Sequence, residues 1–298
     1  MRKNIITLFI CSCLGMLLVA SCENDLPTRA NYSAYDFTGL DEDAGTWTPI
    51  LLNGPGQIAI DAPEEVSSPE YQAELSSLKS TIANLSGDQR GAVDYWTNNP
   101  ILRWNEIALE LAAKYNLIPG PNADGTYTLP NAATPEGPPP FPFAHPAYTC
   151  RALAYLSVAQ FDGLITAWNY KYRYNRPSPS KVDNTIEPAY GDTDLPSYPS
   201  DGAVIAEASR AILTAMFPLE KDFLQAKADE HMESLVWSAT NVESDISAGK
   251  FIGAEVAKVS LARAANDGMK KAQCPKPVAD SIKAAAFERF GWSWTNQE

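Results

Sequence analysis

The chain has 298 residues, 45% hydrophobic and 20% charged, which is a globular composition rather than a disordered one. Lys and Arg number 23 against 36 Asp and Glu, a formal net charge of -13 that excludes a basic nucleic-acid-binding face and electrostatic docking on anionic lipid. Only two histidines occur, His145 and His231, so a three-histidine metal site is at least one ligand short.

The first segment reads as an export signal. Arg2 and Lys3 give a basic start, and Ile5 to Ala20 is an apolar run too short for a comfortable membrane span. It ends in Val19-Ala20-Ser21-Cys22, small residues running into a cysteine as in the lipobox of bacterial lipoproteins. Residues 1–21 are therefore expected to be removed and Cys22 to carry lipid, which places the chain in a bacterial cell envelope, on the periplasmic face or the cell surface. No other apolar run is long enough to span, so membrane attachment is expected through the anchor only. Of the remaining cysteines, Cys150 and Cys274 either pair or stay as two isolated thiols; their spacing does not decide.

Residues 22–68 read as an extended leader rich in Asp, Gly and Pro, with Trp47 and Ile50-Leu51-Leu52 as patches against the domain surface. Residues 69–298 read as one all-α domain. Leu75, Leu78, Ile82 and Leu85 recur at helical steps over Tyr71 to Leu85, and Trp104, Ile107, Leu111 and Tyr115 do so over Leu102 to Leu117. A Pro/Gly-rich excursion follows from Pro119 to Pro146. The spacing predicts a long helix from Ala147 to Tyr170, then an irregular stretch from Arg176 to Pro199. Ser200-Asp201 opens a helix limited by Pro218, and Leu219 to Thr240 is a charged amphipathic helix. Ser244-Asp245 opens another, and a last short helix covers Val278 to Phe290. No alternating run demands a sheet, so the fold class is a multi-helix bundle.

Gly-rich phosphate loops, HExxH and GxSxG elbows are absent. Three other pieces stand in order: Lys171-Tyr172-Arg173-Tyr174-Asn175-Arg176-Pro177, then Pro196-Ser197-Tyr198-Pro199-Ser200-Asp201-Gly202, then Ser234-Leu235 continuing to Asn241 and Asp245. Together they resemble the type-2 phosphatidic acid phosphatase superfamily, which includes bacterial acid phosphatases and vanadium-dependent haloperoxidases. Ala44-Gly45-Thr46-Trp47-Thr48-Pro49, and Gln160-Phe161-Asp162 ahead of Trp168, look like its exported haloperoxidase-related branch. The resemblance implies an all-α bundle in which a Lys and two Arg neutralise phosphate or vanadate oxygens. A Ser and a helix-start N–H add hydrogen bonds. One His protonates the leaving group, while a second attacks phosphorus or ligates vanadium and is oriented by an Asp.

Residue by residue, the inheritance is partial. Lys171 matches, though its gap to Arg176 is two residues short; Arg176, Pro177, Ser200, Ser234 and Asp245 match. Asp201 stands where the motif has glycine, Gly202 where it has the first histidine, Leu235 where it has the second arginine, and Asn241 where it has the nucleophilic histidine. An amide lone pair is delocalised and cannot attack phosphorus, Gly202 has no proton to donate, and Leu235 puts hydrocarbon where a charge clamp belongs. His231 reads as a surface histidine in a charged helix, and His145 as a structural residue of the proline-rich loop.

The expectation is half of an anion pocket. The resemblance implies that Lys171, Arg173 and Arg176 converge near Ser200 and Gly202, with Asp201 expected to cap the helix start or to pair with Arg176 and partly neutralise the pocket. Vanadate would lack its histidine ligand, so no cofactor is expected, and no residue cluster has metal-site spacing. Two readings stay open: an envelope lipoprotein without standard catalysis that binds a small anion, a phosphoester or a partner, and a phosphoester hydrolase with a rearranged set using Asp201, with Asp245 retained. A third is a glycan-binding lipoprotein using its seven tryptophans and thirteen tyrosines for stacking, although core packing explains aromatics more often.

Overall fold

A computed structural model describes residues 43–115, 146–191, 194–269 and 276–293. Cys22, His145, Cys274, the signal segment and most of the Pro/Gly-rich excursion lie outside these residues. Among them, helix is the regular structure and no strand occurs. The α-helices are α1 (Pro69–Ile82), α2 (Gly87–Thr97), α3 (Pro100–Lys114), α4 (Pro146–Tyr174), α5 (Pro179–Val182), α6 (Asp201–Met216), α7 (Lys221–Trp237), α8 (Glu243–Ala265) and α9 (Lys276–Phe290). None is long and apolar enough to cross a membrane.

Helix starts follow local chemistry. Ser68 accepts from Tyr71 N–H at the head of α1, and Ser200 accepts from Ala203 N–H at the head of α6. Helix α2 is absent from the periodicity reading above. Its signal was a capping box: Ser86 accepts from Gln89 N–H while the Gln89 side chain accepts from Ser86 N–H. Helix α8 starts at Glu243, one residue ahead of the expected Ser244, and the Arg176 to Pro199 stretch contains the short α5.

Helix α6 is the axis of the bundle and packs against α4, α7 and α8. Its run of Gly202, Ala203, Val204, Ala206 and Ala208 is buried and small enough to admit close neighbours. The approach of α8 depends on two glycines one turn apart. A Cβ on Gly249 would lie 2.1 Å from Ser200 O, and one on Gly253 would lie 2.7 Å from Val204 O. This closeness holds the start of α6 against the start of α8, where the motif residues lie.

The leader is laced to α4. Asp162 accepts from the backbone N–H of Ile50 and Leu51 at 2.7 Å each and of Leu52 at 3.1 Å. Tyr170, Tyr174 and Tyr198 donate their hydroxyls to the carbonyls of Ile58, Ile60 and Asp61. Leu52 is buried and Trp47 stacks on Phe161, whereas Ile50 remains exposed.

Candidate functional site

The three motif pieces meet where α4 ends and α6 and α8 begin. Lys171 is on the last turn of α4, and its ammonium donates to Pro196 O at 2.7 Å and Ser197 O at 3.4 Å. Asn175, at φ 49, turns the chain back so that Arg176 re-enters the protein. Both cations are buried.

Arg176 is held on several sides. Its Cζ lies 5.0 Å from the Tyr71 ring centroid and 4.7 Å from that of Tyr198. Nη2 donates to Ser244 Oγ at 2.9 Å and pairs closely with Asp245 Oδ1. The side chains of this pair are 2% and 0% exposed. Nε and Nη1 are buried without a hydrogen-bond partner. Asp245 also accepts from Val242 N–H, which caps α8, so both of its carboxylate oxygens are engaged.

The helix start that would face an oxyanion is occupied by the chain itself. Ser200 donates to Asn241 Oδ1 at 3.1 Å, and Asn241 Nδ2 donates to Ser197 O at 3.0 Å. Gly202 N–H donates to the Asp201 carboxylate at 3.2 Å. A Cβ on Gly202 would meet the Leu235 side chain at 2.8 Å. Ser234 donates to His231 O within its own helix.

Three expectations are corrected. Arg173 does not converge with the other two cations: it is exposed and lies over the Tyr170 and Tyr174 rings. Asp201 does not reach Arg176 as a partner; its carboxylate lies 3.5 Å from Lys171, and Asp245 takes Arg176 instead. His231 is not on the surface. It is 1% exposed, stacks on Trp96 at 4.4 Å with planes 10° apart, and its Nδ1 accepts from Trp104 Nε1–H at 3.2 Å. That bond places the proton of the neutral ring on Nε2, which has no partner. Burial pushes the imidazole down to about 3, against a smaller upward pull from Asp201. The signal was legible: Leu224, Ala228, His231 and Leu235 share one helical stripe. Sequence reasoning also missed Tyr71, Glu74 and Tyr198. Glu74 accepts from Ser244 N–H at 2.8 Å and from Ser244 Oγ at 2.7 Å. Nothing local in the sequence links α1 to α8, whose residues 74 and 244 stand 170 positions apart. Cys150 is a free, exposed thiol.

Fold and site together define a helical bundle in which Lys171, Arg176, Ser200, Asn241 and Asp245 come together where three helix ends meet. No family model and no curated protein matches the sequence. Solved structures do match in fold. A bacterial vanadium-dependent iodoperoxidase superposes with a TM-score of 0.56 at 20% identity, covering 76% of this chain and 58% of that one. The apo-type bacterial vanadium-dependent chloroperoxidase gives 0.57 at 12% identity, covering 74% of this chain and 55% of that one. Its holo-type structure gives 0.55 at 13% identity, over 74% and 53%. The chain has the all-α fold of these haloperoxidases and spans just over half of their length.

Proposed function

We propose that this chain is a phosphatidic acid phosphatase/haloperoxidase-superfamily protein without the standard catalysis, an exported lipoprotein that binds a small anionic ligand or a partner at the envelope. The observation that carries the reading is the buried pairing of Arg176 with Asp245. In the motif as it works in catalysts, the Asp orients a histidine ring and the Arg clamps an oxyanion. Here the ring is replaced by Asn241, and the released carboxylate neutralises the clamp. The Coulomb attraction that would draw a dianion is spent inside the protein.

The residues present do not fit vanadate. Asn241 has no ring nitrogen and is engaged at both amide atoms, and Leu235 lines the Gly202 position with hydrocarbon.

A rearranged phosphoester hydrolase is the second reading. It is favoured by one feature: the Asp201 side chain is 38% exposed while that of Asp245 is 0% exposed, so Asp201 is the carboxylate a substrate can meet. A p-nitrophenyl phosphate assay across pH, with and without divalent metal, separates the two. The binding reading expects no turnover above buffer and phosphate and vanadate binding weaker than micromolar by calorimetry. Turnover abolished by Asp201→Ala overturns the binding reading, and micromolar phosphate binding by the native protein overturns the neutralisation of the Arg176 clamp by Asp245.

A further inference from the structure

Arg176 is closed over from a helix that belongs to none of the motif pieces. Ser244 Oγ accepts from Arg176 and donates to Glu74 Oε2, while Ser244 N–H donates to Glu74 Oε1. A carboxylate from α1 thus sits at the N-terminal end of α8, where a helix end favours an anion. One turn earlier on α1, Tyr71 is 1% exposed and lays its ring against the guanidinium. Two cations, Lys171 and Arg176, now stand among three carboxylates, Asp201, Asp245 and Glu74. The surroundings are net negative, yet two guanidinium nitrogens of Arg176 remain buried without acceptors. Each is a donor that an oxyanion oxygen could accept, although Nε and Nη1 lie on either side of the occupied Nη2 and do not form one bidentate fork.

Helix α1 packs on a cluster of its own and is tied at its far end by Lys79 to Asp183 at 2.7 Å. Its buried side chains Tyr71, Leu75 and Leu78 form a small cluster with Ile186, Ala239 and Val242, apart from the main core. A unit resting on so small a cluster opens at a lower free energy than the whole domain. Resting on the neutralised-clamp reading above, we propose that α1 is an occluding helix. Glu74 compensates Arg176 and Tyr71 covers it, and a phosphate-type oxyanion reaches the guanidinium only when α1 lifts.

The test is titration of the full chain with inorganic phosphate at fixed ionic strength, followed by 31P NMR, for the native protein, Glu74→Gln and Leu75→Ala. Gln keeps an acceptor for Ser244 and removes the charge. Leu75→Ala keeps every charge and loosens α1. Both variants are expected to bind phosphate about tenfold tighter or more than the native chain, and phosphate is expected to speed hydrogen exchange in α1 of Leu75→Ala. Affinity within twofold of native for folded Glu74→Gln overturns the role of Glu74. A gain confined to Glu74→Gln, with Leu75→Ala unchanged, overturns the lifting of α1. Either failure leaves the neutralised-clamp reading standing, whereas micromolar binding by the native chain overturns that reading first.

Discussion

A Cβ placed on Gly202 would lie 2.8 Å from both δ carbons of Leu235. Gly202 and Leu235 therefore share one packing space: the isobutyl group takes the volume that a side chain at 202 would enter. A side chain added at 202 alone meets Leu235.

A double-mutant cycle measures this. Gly202→Ala is expected to lose about 1–3 kcal/mol by overpacking, and Leu235→Ala to lose about 2–4 kcal/mol as a half-buried truncation. The double variant should recover at least ~0.5 kcal/mol relative to the sum, because the new methyl then has room. Urea denaturation reads it; strict additivity would show that the two side-chain positions do not compete.

The Arg176–Asp245 pair should behave as a buried pair does. Arg176→Met or Asp245→Asn alone leaves a buried charge or donor set uncompensated, and each is expected to cost about 3–5 kcal/mol. Changing both together should cost clearly less than the two single losses combined. Equal, small losses below ~1 kcal/mol for the singles would mean that water already screens the pair.

His231 predicts an acid-side stability slope. Its folded pKa, about 3, lies below the ordinary value of 6.5, so the fold favours the neutral ring. That contribution is fully present above pH 6.5 and is lost as pH falls from there toward 3, at about 1.4 kcal/mol per pH unit. Between pH 6 and pH 4.5, native stability should fall, and His231→Phe should flatten this part of the profile. An unchanged slope in the variant would assign the loss to other groups.

The leader should detach when its anchor goes. Asp162→Ala leaves the N–H groups of Ile50, Leu51 and Leu52 without the carboxylate that gathers them. Hydrogen bonds to a charged acceptor contribute about 1.5–3 kcal/mol each, so exchange at residues 50–52 should accelerate by orders of magnitude while α6 stays protected. Uniform exchange across both regions would instead mean global loss of stability.

Much of the architecture is written in short-range chemistry. The α4, α6, α7, α8 and α9 spans follow from apolar spacing and from Ser200, which caps α6 through a bond to a residue three positions away. Such bonds depend on neighbours within one turn, and a linear sequence displays them. The resemblance carried by Lys171, Arg176, Ser200, Asn241 and Asp245 implied an all-α bundle, and the fold shared with the haloperoxidases agrees with that.

Which charge meets which was decided only in three dimensions. Arg176 was expected to meet Asp201, 25 residues away, but the glycine contact of α8 with α6 brought Asp245, 69 residues away, into place. The same packing turned His231 inward against Trp96 and Trp104, left Arg173 outside on two tyrosine rings, and let Glu74 reach Ser244. Electrostatic partners are set by distances of a few ångströms between remote segments. Sequence spacing carries no record of those distances, whereas the periodicity that builds each helix is local.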